Sequence, residues 1–237
     1  MSDYLHKNFS VINTDLELIE DGGKIFIKKY FQLNVDFPCP LKRIKEWIDT
    51  YINQLCDGGI NMPAIQDSFI AANRIVYICD YAGDNIVQLF PNIEDLLSNN
   101  YIFEEVCNIL KLAQVKELYI DPHPKNFVVM NRAVSYVDFS PPYQIKAYRD
   151  ARLQIETDLF RQNIIKNNFD VFHPKNIFYH FIGDFISITN NRKLNEQIYS
   201  KIRKNNFVDL PITTGMKKAS QIRKTEDLKF SHNIFLM

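Results

Sequence analysis

The sequence predicts an α+β protein in which a small, strand-rich lobe precedes a larger, mainly helical lobe. Strand patterns fill most of the first eighty residues, and helical patterns dominate after the connector Asp80–Asp84. The regular strand–helix alternation of a doubly wound sheet is missing. We therefore expect an N-lobe at residues 1–80, a C-lobe at residues 81–209, and a basic, loosely packed tail at residues 210–237.

Turn signals divide the start of the N-lobe into strands. Phe9–Ile12 and Leu16–Ile19 are short apolar runs, and Asn13–Asp15 between them has the composition of a turn. The Gly22-Gly23 pair is a stronger turn signal, and Lys24–Phe31 follows it as a strand.

One helix interrupts the strands of the N-lobe. It is predicted at Leu41–Leu55, where apolar residues recur at helical spacing, and the Gly58-Gly59 pair ends it. Two more strands are predicted at Ala64–Ala71 and Arg74–Tyr81.

The C-lobe begins with a helix, predicted at residues 102–118 from its buried apolar face. Phe127–Met130 and Ser135–Val137 then form a hairpin around a turn at Asn131-Arg132. From about Ala147 onward the pattern is helical, and the clearest segments are Asp158–Ile165, Asn176–Ile188 and Leu194–Ile202.

Charge and cysteine content narrow the possible partners. Lysine plus arginine and aspartate plus glutamate number 28 each, so no overall field favours nucleic acid or an anionic membrane. The four cysteines form no Cys-x-x-Cys pair, which argues against a zinc site or a disulfide framework. The start lacks the apolar run of a signal peptide, and no apolar stretch is long enough to span a bilayer. We expect no nucleic acid partner, no membrane span and a reducing cytoplasmic location.

Three polar residues have the spacing of a phosphoryl-transfer site. Asp121 and Asn126 lie five residues apart on one loop, and the predicted hairpin returns Asp138 behind them. Phosphoryl transfer needs a carboxylate that orients the acceptor hydroxyl and oxygen ligands for magnesium. A loop carboxylate and two turn-capping side chains are the alternative interpretation of the same residues.

The loop DPHPKN at residues 121–126 and the segment VDFS at residues 137–140 resemble the protein-kinase-like superfamily. The loop is especially similar to that of UbiB-type atypical kinases, and also to those of aminoglycoside and choline phosphotransferases. The resemblance implies a two-lobed kinase-like fold that binds ATP and Mg²⁺. It implies Asp121 as the catalytic carboxylate, with Asn126 and Asp138 as metal ligands.

The resemblance also implies residues that bind the nucleotide. The strand ending in Ile27-Lys28 is similar to the family's Val-Ala-Ile-Lys, so Lys28 would hold the α- and β-phosphates and Glu46 of the next helix would orient it. Asp80 and Tyr81 match the connector whose backbone receives adenine. If the strand register shifts by one, Lys29 takes the role of Lys28, and Glu46 could instead be a solvated helix carboxylate. His123 and Lys125 are further candidates for contact with the γ-phosphate, or solvated loop positions.

A second copy of part of the loop sequence occurs downstream. His173-Pro174-Lys175-Asn176 repeats residues 123–126, and Asp184 follows it. The eight residues from Asn176 to Asp184 are too few for two strands and a turn, and the apolar spacing is helical. We predict a helix start here rather than a second site.

The function predicted from these residues is an ATP-dependent kinase that phosphorylates a hydroxyl of a small molecule. A short segment after Asp138, without an Ala-Pro-Glu motif, favours a small acceptor over a peptide. The sequence departs from the family because no glycine-rich loop precedes Lys28, Ser140 replaces a glycine and Tyr119 replaces a histidine. These departures leave two alternatives: a pseudokinase-type scaffold that regulates a partner, and an atypical protein kinase.

Overall fold

The chain is α+β, as predicted, with a small antiparallel sheet in the N-terminal region and helices after it. The computed structural model of the protein describes residues 12–33, 38–89, 100–140, 145–155, 159, 162, 166, 173–181, 184 and 192–204. Within these residues no helix is both long and apolar enough to cross a membrane.

Four strands form the first sheet. They are β1 (Ile12–Asp21), β2 (Lys24–Leu33), β3 (Ile65–Ala71) and β4 (Arg74–Asp80), and their spatial order is β1-β2-β4-β3 with antiparallel pairing throughout. Strands β2, β3 and β4 correspond closely to the predicted strands.

The observed strand β1 differs from the strands predicted near the start of the chain. The turn expected at Asn13–Asp15 is wrong, because β1 pairs with β2 without interruption from Ile12 to Asp21. The polar residues Asn13, Thr14 and Asp15 therefore belong to the ladder. The tight turn is at Gly22 and Gly23, whose φ angles of 56° and 77° suit the two-residue hairpin connection. The predicted strand residues 9–11 lie outside the described residues.

Helix α1 (Leu41–Asp57) forms the core of this region together with the sheet. It buries Ile44, Ile48 and Leu55 completely, and burying such a side chain contributes about 1.5–3 kcal/mol. Phe31 and Tyr77 from the sheet pack on Phe139, with ring centroids 5.7 Å and 5.3 Å from that residue. The core thus joins the sheet to the residue that follows Asp138 in the chain.

Helix α4 (Lys146–Ile155) packs on α1 through an aromatic pair. The rings of Tyr148 and Trp47 are 5.9 Å apart, and both side chains are buried. The predicted helical pattern from about Ala147 begins here, and most of the predicted helix Asp158–Ile165 lies outside the described residues.

A second sheet contains the predicted hairpin. Strands β6 (Phe127–Met130) and β7 (Ala133–Tyr136) pair around the turn at Asn131 and Arg132, and β5 (Asp84–Asn85) pairs with β6. The rings of Phe127 and Phe181 form the core of this region, at a centroid distance of 6.3 Å.

Helices complete the region around the second sheet. They are α2 (Ile86–Leu89), α3 (Asn100–Val115) and α5 (Arg192–Lys204). The described part of the predicted helix Asn176–Ile188 is helical at residues 177–181 and 184, after a turn at residues 174–176. The predicted tail at 210–237 lies outside the described residues.

Gly83 enables the connector to approach the hairpin. Its φ angle is 103°, and a Cβ atom there would lie 1.9 Å from the carbonyl oxygen of Val129. No larger residue fits this position without moving the backbone. The glycine therefore allows β5 to pair with β6, directly beside the loop that contains Asp121.

The chain divides into two compact units. The first contains the described residues of Met1–Asp57, Met62–Ala82 and Phe139–Phe169, and the second contains those of Gly58–Asn61, Gly83–Asp138 and Asp170–Met237. A division falls after Ala82. The described residues of 139–169 group with the first unit, in which Phe139 and Tyr148 pack on the sheet and on α1.

Candidate functional site

The loop before the hairpin is organised by its own short-range hydrogen bonds. The Asp121 carboxylate accepts from the His123 amide at 3.0 Å, and His123 Nδ1 accepts from the Lys125 amide at 3.1 Å. The Asn126 amide then donates to the His123 carbonyl at 2.9 Å, which closes a 3-10 turn at Pro124–Asn126. Asp and His side chains that cap neighbouring amides are typical of turns, so the sequence DPHPKN determines this loop locally.

Further hydrogen bonds fix the loop to the hairpin. The Asn126 side chain donates to the Asp121 carbonyl at 3.1 Å, and the Val137 amide donates to the Asn126 carbonyl at 2.9 Å. The Asp121 amide donates to the Tyr136 hydroxyl at 3.0 Å. The segment leading into Asp138 is therefore bound to both ends of the loop.

The carboxylates of Asp121 and Asp138 interact electrostatically. Burial, followed by the negative charge of Asp138, raises the pKa of Asp121 to about 6. Hydrogen bonds from His123 and Asn126 and the charge of Lys125 oppose this shift without cancelling it. The structure thus brings together the three predicted residues of this site, Asp121, Asn126 and Asp138, which we call the loop cluster.

The donor atoms of the loop cluster suit magnesium better than zinc. Among the described residues no group of three His, Cys, Asp or Glu side chains could hold a metal ion. The loop cluster instead offers two carboxylates and one amide oxygen. Magnesium is commonly held by one or two carboxylates together with substrate phosphates and water, and a cation would offset the repulsion that raises the pKa of Asp121.

The two adjacent lysines of β2 face opposite sides of the sheet. Lys29 is the buried one, 8% exposed, and its ammonium lies 4.1 Å from the centroid of the Phe139 ring. Lys28 instead lies over the Tyr30 ring, and a hydrogen bond with Tyr30 raises its pKa. Of the two lysines considered for the phosphate-binding role, the buried one is therefore the alternative, Lys29, and not Lys28. The signal in the sequence is strand alternation, because Lys29 is two positions before the buried Phe31.

Glu46 does not meet a lysine of the sheet. Its carboxylate is exposed and pairs with Arg43 at 2.8 Å, because the helical period turns it away from the face that holds Ile44 and Ile48. The pairing expected for Glu46 is thus not found.

Asp49 is the carboxylate that α1 directs toward the sheet. It accepts from the Tyr77 hydroxyl at 2.6 Å and pairs with Lys45 at 2.8 Å. Sequence analysis missed Asp49, because its orientation depends on where the sheet packs on α1.

The backbone expected to receive adenine is already engaged. The Asp80 amide donates to the Ala64 carbonyl at 2.9 Å, and the Tyr81 amide donates to the Ile25 carbonyl at 3.2 Å. The Asp80 side chain accepts from Gln66 at 2.9 Å. The N–H groups of Asp80 and Tyr81 therefore form hydrogen bonds within the protein.

The second copy of this part of the loop sequence, at residues 173–176, forms the same hydrogen bonds as the first. His173 Nδ1 accepts from the Lys175 amide at 3.2 Å, and the Asn176 amide donates to the His173 carbonyl at 2.7 Å. A helix follows directly, which confirms the prediction of a helix start. The His173 ring packs edge-on against Tyr119, with centroids 5.2 Å apart.

No protein-family model matches the sequence, and no curated protein matches it either. The resemblance to protein-kinase-like enzymes therefore consists of the loop at residues 121–126, the segment at residues 137–140 and the lysine-bearing strand. A function has to rest on the chemistry of these side chains.

Proposed function

We propose that the chain binds ATP with Mg²⁺ and transfers the γ-phosphoryl group to a hydroxyl of a small molecule. The observation that supports this most strongly is the loop cluster, in which the pKa of the Asp121 carboxylate is raised beside Asp138. Positioning and charge neutralisation supply most of the rate in phosphoryl transfer. The hydrogen bonds that hold the loop suit it to positioning. The oxygen atoms of the loop cluster suit it to holding a cation that neutralises charge.

Each residue of the loop cluster has a separate role in this proposal. Asp138 and Asn126 would hold the magnesium ion, which would neutralise charge on the phosphate oxygens. Asp121 orients the acceptor hydroxyl and accepts its proton. The acceptor oxygen forms a bond to the γ-phosphorus while the bond from that phosphorus to the bridging oxygen breaks, and ADP leaves. A pKa of about 6 leaves Asp121 mainly ionised at neutral pH, as a general base requires.

Lys29 is the proposed phosphate-binding lysine of the first unit. Its burial and its place on the face that carries Phe31 support this role over Lys28. The order of elements supports a two-lobed kinase-like fold as part of the proposal. A lysine-bearing strand, a helix, two strands, a connector, a helix, a loop and a hairpin follow one another along the chain.

The acceptor is proposed to be small. Helix α4 begins at Lys146, soon after Asp138, so the chain has only a short segment where a protein kinase would carry a peptide-docking loop. A reducing cytoplasm is the proposed location, and the four free cysteines are compatible with it.

A nucleotide-binding scaffold is the second candidate, and the turn between β1 and β2 favours it. The strands pair up to Asp21 and Lys24, so only Gly22 and Gly23 connect them. A loop of two residues is too short to cover nucleotide phosphates as a glycine-rich loop does. Such a scaffold would bind nucleotide without turnover.

A thermal-shift screen followed by an acceptor panel tests the proposal. The protein is heated with ATP, GTP or ADP, with and without Mg²⁺, and active conditions are then assayed against hydroxylated small molecules. We expect a Mg²⁺-dependent rise in the melting temperature with ATP and an acceptor-dependent release of ADP. Binding without an Asp121-dependent product would favour the scaffold, and failure to bind any nucleotide would reject both functions.

A further inference from the structure

Tyr136, which the sequence analysis did not single out, contacts the proposed catalytic residue directly. Its hydroxyl accepts the Asp121 amide hydrogen at 3.0 Å, and its side chain is fully buried. The residue lies at the end of β7, two positions before Asp138. It therefore links the strand that leads to one carboxylate with the backbone of the other.

Tyr136 is itself held in place by its neighbours. Its backbone amide donates to the Asn61 carbonyl at 2.8 Å, and the Asn61 side chain donates to the Val134 carbonyl at 2.7 Å. The ring packs against Phe127, with centroids 5.6 Å apart. The hydroxyl thus belongs to a residue of a strand and not of a loop.

Hydrogen bonds hold Asp121 on three sides. Tyr136 accepts from its N–H, the Asn126 side chain donates to its carbonyl, and the His123 amide donates to its carboxylate. The last two partners belong to the same loop as Asp121. Tyr136 is the one among these three partners that lies within a strand of the sheet.

We propose that Tyr136 is a positioning residue whose hydroxyl fixes Asp121 for phosphoryl transfer. This inference rests on the proposed function, because it assigns a reaction to Asp121. Positioning acts on turnover more than on nucleotide binding, since small displacements of a reacting group lower the rate steeply. Loss of the hydroxyl therefore lowers kcat and leaves the nucleotide Kd nearly unchanged.

Tyr136→Phe is the direct test, because it removes the hydroxyl and keeps the ring that packs on Phe127. We expect kcat for Mg-ATP to fall about 10–100-fold, with the Kd for Mg-AMPPNP within about twofold of wild type. Tyr77→Phe is the matched control, since it removes a buried hydroxyl that bonds to Asp49 at 2.6 Å. Equal turnover in Tyr136→Phe and wild type, or equal losses in the two variants, would overturn the proposal.

A double-mutant cycle separates positioning from a general loss of stability. If Tyr136 acts through Asp121, adding Tyr136→Phe to Asp121→Asn causes little further loss of turnover. Additive losses would contradict the proposal. Should Tyr136→Phe fail to fold, site-specific replacement by 4-fluorophenylalanine fills the space of the hydroxyl with a poor hydrogen-bond acceptor, and the same loss of kcat is expected.

Amide hydrogen exchange gives a readout that does not depend on activity. The Asp121 amide should exchange at least about tenfold faster in Tyr136→Phe than in Tyr77→Phe, because it has lost its acceptor. If wild type shows no turnover, the proposed function has failed, and this exchange still decides the positioning claim. Unchanged protection of the Asp121 amide would overturn it.

Discussion

The same four residues, His-Pro-Lys-Asn, form two turns of the same geometry in this chain. In the first turn (His123–Asn126) and in the second turn (His173–Asn176), the histidine Nδ1 caps the lysine amide, and the asparagine amide donates to the histidine carbonyl. Their surroundings differ. The first turn follows Asp121 and leads into the hairpin that returns Asp138, whereas the second leads directly into a helix.

This difference shows that the local sequence determines the turn but not the site. Only the first turn has its asparagine side chain bonded to the backbone of Asp121, and only this turn lies within the loop cluster. The second turn contacts the loop region through the His173 ring on Tyr119. Chemistry is therefore expected from the first turn, and substitutions in matched positions of the two turns should have unequal effects.

The largest effect is expected for Asp121, because the second turn has no carboxylate at the matching position. Asp121→Asn keeps an oxygen that can accept the His123 amide, so the loop should retain its shape. It removes the proton acceptor, and we expect turnover to fall by about 10²-fold or more. The Kd for Mg-AMPPNP should stay close to that of wild type, as measured by calorimetry. A full rate in the variant would remove Asp121 from the mechanism.

Matched asparagine substitutions give the next largest effect. Asn126→Ala removes a proposed magnesium ligand and the hydrogen bond to Asp121, so the Kd for Mg-AMPPNP should rise about 10-fold or more. Asn176→Ala alters the same position of the second turn and should leave the Kd within about twofold. If both variants bind alike, the two turns do not differ in function.

The adjacent lysines of β2 extend the comparison to the first unit. Lys29→Ala should weaken Mg-nucleotide binding several-fold, since it removes the buried cation that is proposed to contact phosphate. Lys28→Ala removes the same charge from the opposite face of the sheet and should change binding little. Titration of both variants decides between them, and the reverse ranking would restore Lys28 as the phosphate ligand.

The smallest effect concerns stability and pH in the absence of metal. Because the folded pKa of Asp121 is raised to about 6, the folded state binds more protons than the unfolded state between about pH 4 and pH 6. The free energy of unfolding should therefore decrease as pH rises through this window.

Asp121→Asn should remove this decrease and stabilise the metal-free protein at pH 7 by about 1–2 kcal/mol, a rise of a few degrees in Tm. Asp21→Asn, which alters an exposed carboxylate in the hairpin of β1 and β2, is the control. Equal pH profiles for wild type and Asp121→Asn would show that the pKa of Asp121 is not raised in the folded state.

The loop and the hairpin could be predicted from the sequence because local signals specify them. Prolines, an Asx-type cap and two apolar strands around Asn131-Arg132 all agree with the observed structure. The prediction of a turn at Asn13–Asp15 was wrong, because the pairing of β1 with β2 outweighs the local turn preference of three polar residues. Tertiary pairing of this kind leaves no signal within a short window.

The remaining corrections concern the orientation of side chains. Lys28 and Lys29 are adjacent in β2, and strand alternation relative to the buried Phe31 determines which of them is buried. Glu46 and Asp49 lie on different faces of α1, and the choice between them depends on where the sheet packs. Tyr136 was missed because its hydroxyl meets Asp121 only after the hairpin has folded back on the loop.

The central claim is that Asp138 and the first turn form a magnesium nucleotide site. Calorimetric titration of Mg-AMPPNP into wild type, Asp138→Asn and Asn176→Ala tests it most directly. We predict Mg²⁺-dependent binding to wild type and Asn176→Ala, and at least about tenfold weaker binding to Asp138→Asn, because a carboxylate ligand is lost. Equal binding to all three proteins, or binding that does not require Mg²⁺, would contradict the claim.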